Sequence, residues 1–367
     1  MKGRPPAPSH IPGGAPIWAG DMTTHSSSPS PATRGPDPRA VDDRVTPFHI
    51  DGLDVRGRVV RLGSSLDAVL AHHDYPAAVK RLLGEAVALT VLLGSTLKIQ
   101  GRFILQTRTD GPVDLLVVDF TAPQDVRAYA RFDLERLEAM QAGLPTGAGF
   151  DSGALLGHGH LAMTIDQGLS VNRYQGVVAL EGGGLEAAAH QYFTQSEQIP
   201  TRVRLAVAEE MHPGGAPSSW RAGGLMVQFL PTEGGRVRPV DLHPGDAPEG
   251  TDLPEAQEDD SWVETLSLVA TVEDVELVDA DLSSERLLFR LFHERGVRVF
   301  ETENVVAKCS CSRERVMNVL ASFTPEERTS LVENDKIGVT CEFCGRTYDF
   351  KAEEIVDVEA GDGAAQG

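Results

Sequence analysis

Four cysteines carry the most specific chemistry in this sequence. They form two close pairs, Cys309-Ser310-Cys311 and Cys341-Glu342-Phe343-Cys344, and no other cysteine occurs in the 367 residues. Two close pairs that are distant in sequence can supply the four thiolates of one tetrahedral zinc site. A secreted disulfide framework would spread its cysteines along the chain. The clustering therefore indicates metal or redox chemistry in a reducing compartment, and we expect a cytoplasmic protein.

The segment between the two pairs has the features needed to bring them together. Thr324-Pro325-Glu326-Glu327 supplies an N-cap, a proline at the first helical position and a capping-box glutamate. Residues 337–340 and 347–350 are predicted to form a hairpin, and Gly345 follows the second pair where a tight turn favours positive φ. The sequence thus predicts one zinc ion per chain, held by Cys309, Cys311, Cys341 and Cys344.

Two roles remain open for such a site. Zinc can simply hold together a small domain that lacks a sufficient core. Alternatively it can act as a switch, because each pair is spaced closely enough to form a local disulfide, and oxidation would then eject the metal. Zinc contributes on the order of 10 to 16 kcal/mol to small zinc modules. Its loss should therefore unfold the chain from about Val305 to Phe350.

The elements upstream of the cysteines indicate an α+β fold. A helix with apolar residues at helical spacing is predicted after Pro76. Strand-like runs at 103–107 and 113–120 flank the turn sequence Thr109-Asp110-Gly111-Pro112. Further strands follow in runs rather than in strict alternation with helices. We therefore predict a mixed helix and sheet core over residues 45–231.

Composition divides the rest of the chain. Residues 1–44 are rich in Pro, Ser and Gly and are expected to form a disordered extension. Residues 232–300 read as an acidic, partly helical linker, because residues 241–281 contain many Asp and Glu and no Lys or Arg. Apolar residues in the second half of the linker would let it dock on another surface or detach from it. A small zinc-binding domain is predicted at 301–357 and a disordered tail at 358–367.

The charge of the chain argues against two classes of partner. Lys and Arg number 33 against 54 Asp and Glu, which gives a net charge of -21. Such a field repels phosphate and anionic lipid, so nucleic acid and membranes are poor partners. The longest apolar stretch, at 86–97, is too short to span a bilayer. The first twenty residues are interrupted by prolines and glycines, so they do not resemble a signal peptide.

Other motifs have simpler interpretations. Gly157-His158-Gly159-His160 is read as a polar strand edge, Gly182-Gly183-Gly184 as a turn and His72-His73-Asp74 as a helix end. A thiol oxidoreductase could use Cys341 and Cys344, but such pairs normally begin a helix in a βαβ unit. No catalytic residue is predicted, and we do not expect an enzyme.

Several stretches of the chain are distinctive enough to compare with known families. Around the cysteines these are Cys-Ser-Cys-Ser-Arg-Glu-Arg-Val and Val-Thr-Cys-Glu-Phe-Cys-Gly. Upstream they are Leu-Gln-Thr-Arg-Thr-Asp-Gly-Pro-Val, Arg-Tyr-Gln-Gly-Val-Val and Gln-Ser-Glu-Gln-Ile-Pro-Thr. Together they resemble the thirty-three-kilodalton chaperonin family of redox-regulated heat-shock chaperones. The likeness covers residues from about 48 to 355, which is nearly all of the chain expected to be ordered.

The resemblance implies a substrate-binding core, a metastable helical linker lying on it and a zinc domain that holds the linker down. In the family's terms, peroxide or hypochlorous acid joins Cys309 to Cys311 and Cys341 to Cys344. Zinc then leaves, the linker opens, and the protein, usually a homodimer, holds unfolding client proteins without ATP. The alternative is a zinc-ribbon protein whose metal is only structural and mediates protein or nucleic-acid interaction.

Two departures from the family pattern bear on the clamp. Residues 1–44 extend beyond the shared region, and the Pro- and acid-rich tract at 231–260 is longer than a compact docked linker requires. We therefore expect a looser clamp in the reduced state, which still works through residues 261–300.

Overall fold

The structure is a computed structural model. It describes residues 42–97, 101–143, 150–167, 173–215, 217–230, 259–351 and 354–355. The predicted extension as far as residue 41, the Pro- and acid-rich tract at 231–258 and the predicted tail at 358–367 lie outside the described residues.

The first sheet is antiparallel throughout its described part and has the strand order β10-β1-β2-β9-β8. A further short strand, β11, pairs with the start of β1 on the same side as β10. Its strands are β1 (Arg44–Ile50), β2 (Val55–Leu62), β8 (Thr201–Glu210), β9 (Ser219–Phe229), β10 (Val297–Val299) and β11 (Glu303–Asn304). The edge next to β1 is therefore completed by residues far along the chain.

The second sheet has the order β12-β5-β4-β3-β6-β7, and only the β12–β5 pair is parallel within its described part. The predicted turn at 109–112 joins β3 to β4, which confirms that hairpin. Its strands are β3 (Arg102–Thr109), β4 (Val113–Thr121), β5 (Asp125–Phe132), β6 (His158–Asp166), β7 (Arg173–Glu181) and β12 (Val306–Ala307).

The long helix α2 (Ala77–Gly94) lies between the two sheets. It begins directly after Pro76, as predicted, and it is buried on nearly every side because both sheets cover it. Among the described residues no helix combines the length and apolarity that crossing a bilayer requires. The other helices of the core are α1 (Ser64–Leu70), α3 (Leu134–Ala142), α4 (Ser152–Leu156) and α5 (Leu185–Tyr192).

Three linker helices cover the opposite face of the first sheet: α6 (Asp260–Val269), α7 (Asp274–Val278) and α8 (Ser284–Phe292). Alternation along β2 separates the two faces, since Val59 packs under these helices whereas Val60 packs toward α2. Caps set where α6 and α8 begin, because the Asp259 and Ser283 side chains accept backbone N–H groups of the first turn. The second half of the acidic linker is therefore docked.

A small C-terminal unit contains α9 (Arg313–Ala321), α10 (Pro325–Ser330), β13 (Ile337–Thr340) and β14 (Thr347–Phe350). The predicted capping box at Thr324 and Glu327 and the predicted β13–β14 hairpin are both confirmed. The buried core of this unit contains few side chains, Leu320, Ile337, Phe350 and Ile355. So small a core provides little stability alone.

The α+β prediction is confirmed, but the sequence placed the start of the folded chain too late. Residues 42–44, assigned to the disordered extension, belong to the fold. Asp42 forms a two-pronged ion pair with Arg221, with distances of 2.5 and 2.6 Å. Asp43 accepts the Gly63 backbone N–H at 2.9 Å, and Arg44 begins β1. Two aspartates in a polar stretch are typical of a disordered segment, and their long-range partners are visible only in the tertiary structure.

Candidate metal centre

The structure brings the four predicted cysteines together. Their Sγ atoms all lie within 4.8 Å of one another, and the four could hold a metal ion. Cys309 and Cys341 are 3.7 Å apart, and Cys311 and Cys344 are 3.4 Å apart. Four sulfurs at about 2.3 Å from a central ion stand about 3.8 Å from each other in a regular tetrahedron. The observed separations are close to that spacing.

Short elements on each side hold the two pairs in place. Cys309 and Cys311 lie between β12 and α9, and the Ser312 hydroxyl caps α9 by accepting the Arg315 backbone N–H at 3.2 Å. Residues 341–344, here called the cysteine knuckle, follow β13. Gly345 has φ of 65°, as predicted, and its N–H donates to the Cys341 carbonyl at 2.8 Å. The turn therefore points both sulfurs toward the first pair.

Three of the cysteine thiols have shifted pKa values, in different directions. Burial disfavours the charged form of Cys311, but hydrogen bonds from Tyr348 and the other cysteines outweigh it and lower its pKa to about 7. The Tyr348 hydroxyl donates to Cys311 Sγ at 3.2 Å. Burial raises the pKa of Cys341, and it raises that of Cys344 to about 12. Since metals bind thiolates, Cys311 supplies an anionic ligand more easily than Cys341 or Cys344 does.

The core contributes an arginine to the site. Arg127 on β5 donates through Nη1 to Cys309 Sγ at 3.8 Å, and through Nε and Nη2 to Asp119 at 2.9 and 2.6 Å. Its guanidinium carbon lies 4.0 Å from the centre of the Phe343 ring. The Asp119 side chain is only 5% exposed. Sequence patterns did not identify Arg127, because its partners lie on other strands and in the C-terminal unit.

Two more core residues contact the cysteine knuckle. His73 Nε2 donates to the Glu342 carbonyl oxygen at 2.6 Å, and the His73 ring lies edge-on to Tyr129 at 5.4 Å. Burial and a hydrogen bond with Glu342 raise the pKa of Tyr129 to about 12. His73 follows α1, as its interpretation as a helix end predicted, but its contact with residue 342 spans 269 positions. Local sequence carries no indication of that pairing.

The stretch before Cys309 is paired with both sheets in turn. Glu303 and Asn304 pair with β1, and Val306 and Ala307 pair with β5. The Lys308 N–H donates to the Val126 carbonyl at 2.9 Å, and Val305 between the two strands is 3% exposed. The first cysteine pair is thus joined to the core by continuous backbone hydrogen bonds.

The other candidate motifs form no comparable site. His158 and His160 lie exposed on β6, and across the described ranges the cysteines alone form a group of three or more metal-type ligands. Gly184 is the N-cap of α5, which agrees with the turn interpretation of the glycine run.

Comparison with known proteins identifies the family. Residues 43–351 match the family model described as Hsp33 protein. This chain belongs to the Hsp33 family. The 33 kDa chaperonin of Caulobacter vibrioides is 44% identical over 314 residues, which cover 85% of this chain and 96% of that relative. The 33 kDa chaperonin of Pseudomonas paraeruginosa is 37% identical over 324 residues, which cover 88% and 96%. The resemblance drawn from the motifs is confirmed.

A solved Hsp33 structure supports the fold. The 33 kDa chaperonin (heat shock protein 33 homolog) of Thermotoga maritima matches with a TM-score of 0.65 at 22% identity, over 85% of this chain and 96% of that one. The chain with this α+β core, these docked linker helices and this C-terminal unit is therefore a member of the Hsp33 family.

Proposed function

We propose that this Hsp33-family chain is a redox-regulated, ATP-independent chaperone that holds unfolding or oxidatively damaged proteins. In the reduced form Cys309, Cys311, Cys341 and Cys344 bind one zinc ion and the chaperone is inactive. Oxidation of the four thiols releases zinc and activates it. The compartment is cytoplasmic, where thiols stay reduced until an oxidant appears.

One observation carries this proposal: the cysteines lie at the end of the segment that covers an apolar face. From α8 the chain continues through β10, β11 and β12 directly to Cys309. Each of these short strands has few backbone hydrogen bonds. The segment therefore depends on a fixed attachment at its far end, and the cysteine site provides one.

Zinc suits the donor set, because four thiolates in a tetrahedral arrangement are its usual structural ligands. When bound, it keeps the four sulfurs as thiolates and supplies binding free energy that the small C-terminal core lacks. The chain positions those sulfurs with the turn at Gly345 and the helix cap at Ser312. The Tyr348 hydroxyl supports the charge on Cys311.

Oxidation converts four thiolates into two disulfides, proposed as Cys309–Cys311 and Cys341–Cys344. Each new S–S bond releases two electrons, which one molecule of peroxide accepts with two protons to give two molecules of water. A disulfide sulfur carries no negative charge and cannot retain zinc as a thiolate does. The 3.7 Å and 3.4 Å contacts join sulfurs of different pairs, so peptide mapping must establish the connectivity.

The face beneath the linker helices is the proposed client-binding surface. Unfolded chains expose apolar side chains, and an apolar sheet face can bury them without any nucleotide. Its buried residues on the first sheet are Phe48, Ile50, Val55, Val59, Ala206, Leu225, Val227 and Phe229. The proposal includes a homodimer in the oxidised form, no nucleic-acid or membrane partner and no catalytic residue.

The decisive experiment follows three quantities together before and after peroxide: zinc release, free thiol content and suppression of aggregation of a denatured client. The proposal requires all three to change in step. Retained zinc with unchanged chaperone activity would instead favour the alternative, a zinc-ribbon protein with a purely structural metal. The excess of acidic over basic residues after position 300 argues against a nucleic-acid role for that alternative.

A further inference from the structure

The two non-cysteine residues of the cysteine knuckle both contact the core. The Glu342 carbonyl accepts from His73 at 2.6 Å, and the Phe343 ring lies against the Arg127 guanidinium at 4.0 Å. Tyr129 stands beside His73 on the same side of the contact. We call His73, Arg127 and Tyr129 the core socket. The core socket therefore contacts Glu342 and Phe343, which must move when a bond forms between Cys341 and Cys344.

Arg127 differs from the rest of the socket because it also reaches a cysteine sulfur. Asp119 holds one side of its guanidinium through Nε and Nη2, which leaves Nη1 directed at Cys309 Sγ. A guanidinium fixed by a buried carboxylate has a defined direction and loses little freedom when it gains another partner. A thiolate is a charged acceptor, so its hydrogen bond to Arg127 is stronger than one to a neutral sulfur.

We propose that Arg127 is a positioning residue that holds the cysteine knuckle on the core only while the four sulfurs are thiolates. This inference rests on the proposed function and identifies the contact that controls release of the linker helices. A zinc ion with four thiolates has a net charge of minus two, and Arg127 is the core cation that touches this group in the described structure.

Oxidation removes the partner that Arg127 is placed to bind. Two disulfides are neutral, so Cys309 no longer offers a charged acceptor to Nη1. Closing a Cys341–Cys344 bond also rearranges Glu342 and Phe343, which weakens their contacts with the socket. Lys308, next to Cys309, then remains attached through its backbone hydrogen bond to Val126 and its ion pair with Asp125. Release proceeds from this point toward β11, β10 and the linker helices.

The test compares Arg127→Met with Arg131→Met in the reduced, zinc-loaded full chain. Arg131 lies on the same face of β5 and pairs with Asp114 at 2.7 Å, but no hydrogen bond joins it to a cysteine within the described residues. The readouts are zinc content and the rate of limited proteolysis within residues 259–300. Arg127→Met should keep its zinc while the linker is cleaved about tenfold faster, as expected for loss of a charge-assisted hydrogen bond. Arg131→Met should match the wild type.

A second variant separates docking from folding. Removing Arg127 leaves buried Asp119 without its main partner, although Arg102 lies 3.6 Å away. Phe343→Ala keeps the Arg127–Asp119 pair and removes the stacking contact, so it should also speed linker cleavage with zinc bound. Slow, wild-type cleavage in zinc-loaded Arg127→Met overturns the inference. Loss of zinc from Arg127→Met also overturns it, since Arg127 would then support ligation rather than docking. If Arg127→Met does not fold, Phe343→Ala decides.

The wild type in the same assay distinguishes failure of this inference from failure of the proposed function. If peroxide does not speed cleavage of the wild-type linker, the redox switch itself is wrong. If peroxide does speed it while the reduced Arg127→Met and Phe343→Ala variants match reduced wild type, the switch stands and Arg127 does not control it.

Discussion

At the scale of single residues, neighbouring cysteines have different chemical surroundings. Cys311 and Cys344 lie 3.4 Å apart, yet the pKa of Cys311 is lowered and that of Cys344 raised. Sequence spacing predicted the four-cysteine cluster and the glycine after it. It could not predict Arg127, which belongs to the core, or Tyr348, which lies 37 positions from Cys311, because both contacts depend on the tertiary structure.

Cys341→Ser removes one of the four proposed ligands and should bind zinc much more weakly, because a serine hydroxyl does not ionise near neutral pH. Regulated switching should be lost with the metal. A colorimetric zinc assay during titration with a chelator measures the effect. Ser310→Ala, at an exposed position between two ligands, should retain zinc. Equal zinc affinity in Cys341→Ser would contradict the proposed ligand set.

Glu85 makes stability depend on pH. Burial, opposed by a hydrogen bond from Ser152, raises its pKa from 4.5 to about 7. Between these values the folded state keeps a proton that the unfolded state has released, so stability falls as the pH rises. Glu85→Gln should match wild type near pH 5 and be more stable near pH 8, on the order of 1 to 3 kcal/mol. Urea unfolding at both pH values measures this difference.

The exposed Glu138 on α3 provides the matched comparison for Glu85. Glu138→Gln makes the same change of side chain at an exposed position and should alter the free energy of unfolding little. A Glu85→Gln variant whose advantage does not grow with pH would show that the carboxyl of Glu85 ionises normally in the fold.

At the scale of elements, the first sheet is shaped to hold α7. Buried Arg61 donates to the Glu276 and Asp279 carbonyls at 2.8 Å each, and Arg221 donates to the Val278 carbonyl at 2.6 Å. These arginines satisfy the carbonyls that a helix leaves free at its C-terminal end. The Leu277 backbone lies directly above Gly223. A Cβ atom added to Gly223 would lie 2.0 Å from the Leu277 carbonyl oxygen.

Gly223→Ala should therefore loosen α7 while the rest of the core stays folded, because the added methyl group points at the linker rather than into the core. We expect a cost of about 1 to 3 kcal/mol to linker docking. Faster proteolysis of residues 259–300 in the reduced protein measures it. Gly143→Ala, where the nearest atom to the added methyl is at 3.5 Å, should leave the proteolysis rate unchanged. Unchanged cleavage in Gly223→Ala would show that α7 contributes little to docking.

The elements also show where sequence patterns were sufficient. Periodicity and turn residues predicted α2, the β3–β4 hairpin and the β13–β14 hairpin. They missed β1, in which Pro47 and His49 interrupt the apolar pattern. The strand predicted from Val297 to Phe300 is confirmed as β10, whereas β11 and β12, of two residues each, are too short for any periodicity to register. The acidic linker was recognised as able to dock, but its partner face depends on tertiary structure.

At the scale of the whole molecule, the proposed switch connects oxidation of the cysteines in the C-terminal unit to release of the linker helices from the first sheet. Hydrogen exchange should detect this directly. After peroxide treatment, amides of residues 297–308 and of the linker helices should exchange faster, because their strand pairs lose their attachment. Amides of β3 and β4 in the middle of the second sheet should be unaffected and serve as the internal control. Equal protection of residues 297–308 before and after oxidation would contradict release of the segment.

The distance in sequence between the two halves of the first sheet also matters during synthesis. Asp51 and Arg298 form an ion pair at 2.6 Å across 247 positions. A ribosome therefore completes strands β1 and β2 long before it makes the residues that will cover and flank them. Every nascent copy passes through an interval with an uncovered apolar face and an open strand edge, both of which favour aggregation. The face proposed to be uncovered under stress is thus also without its cover during synthesis, until residues 259–308 have been made.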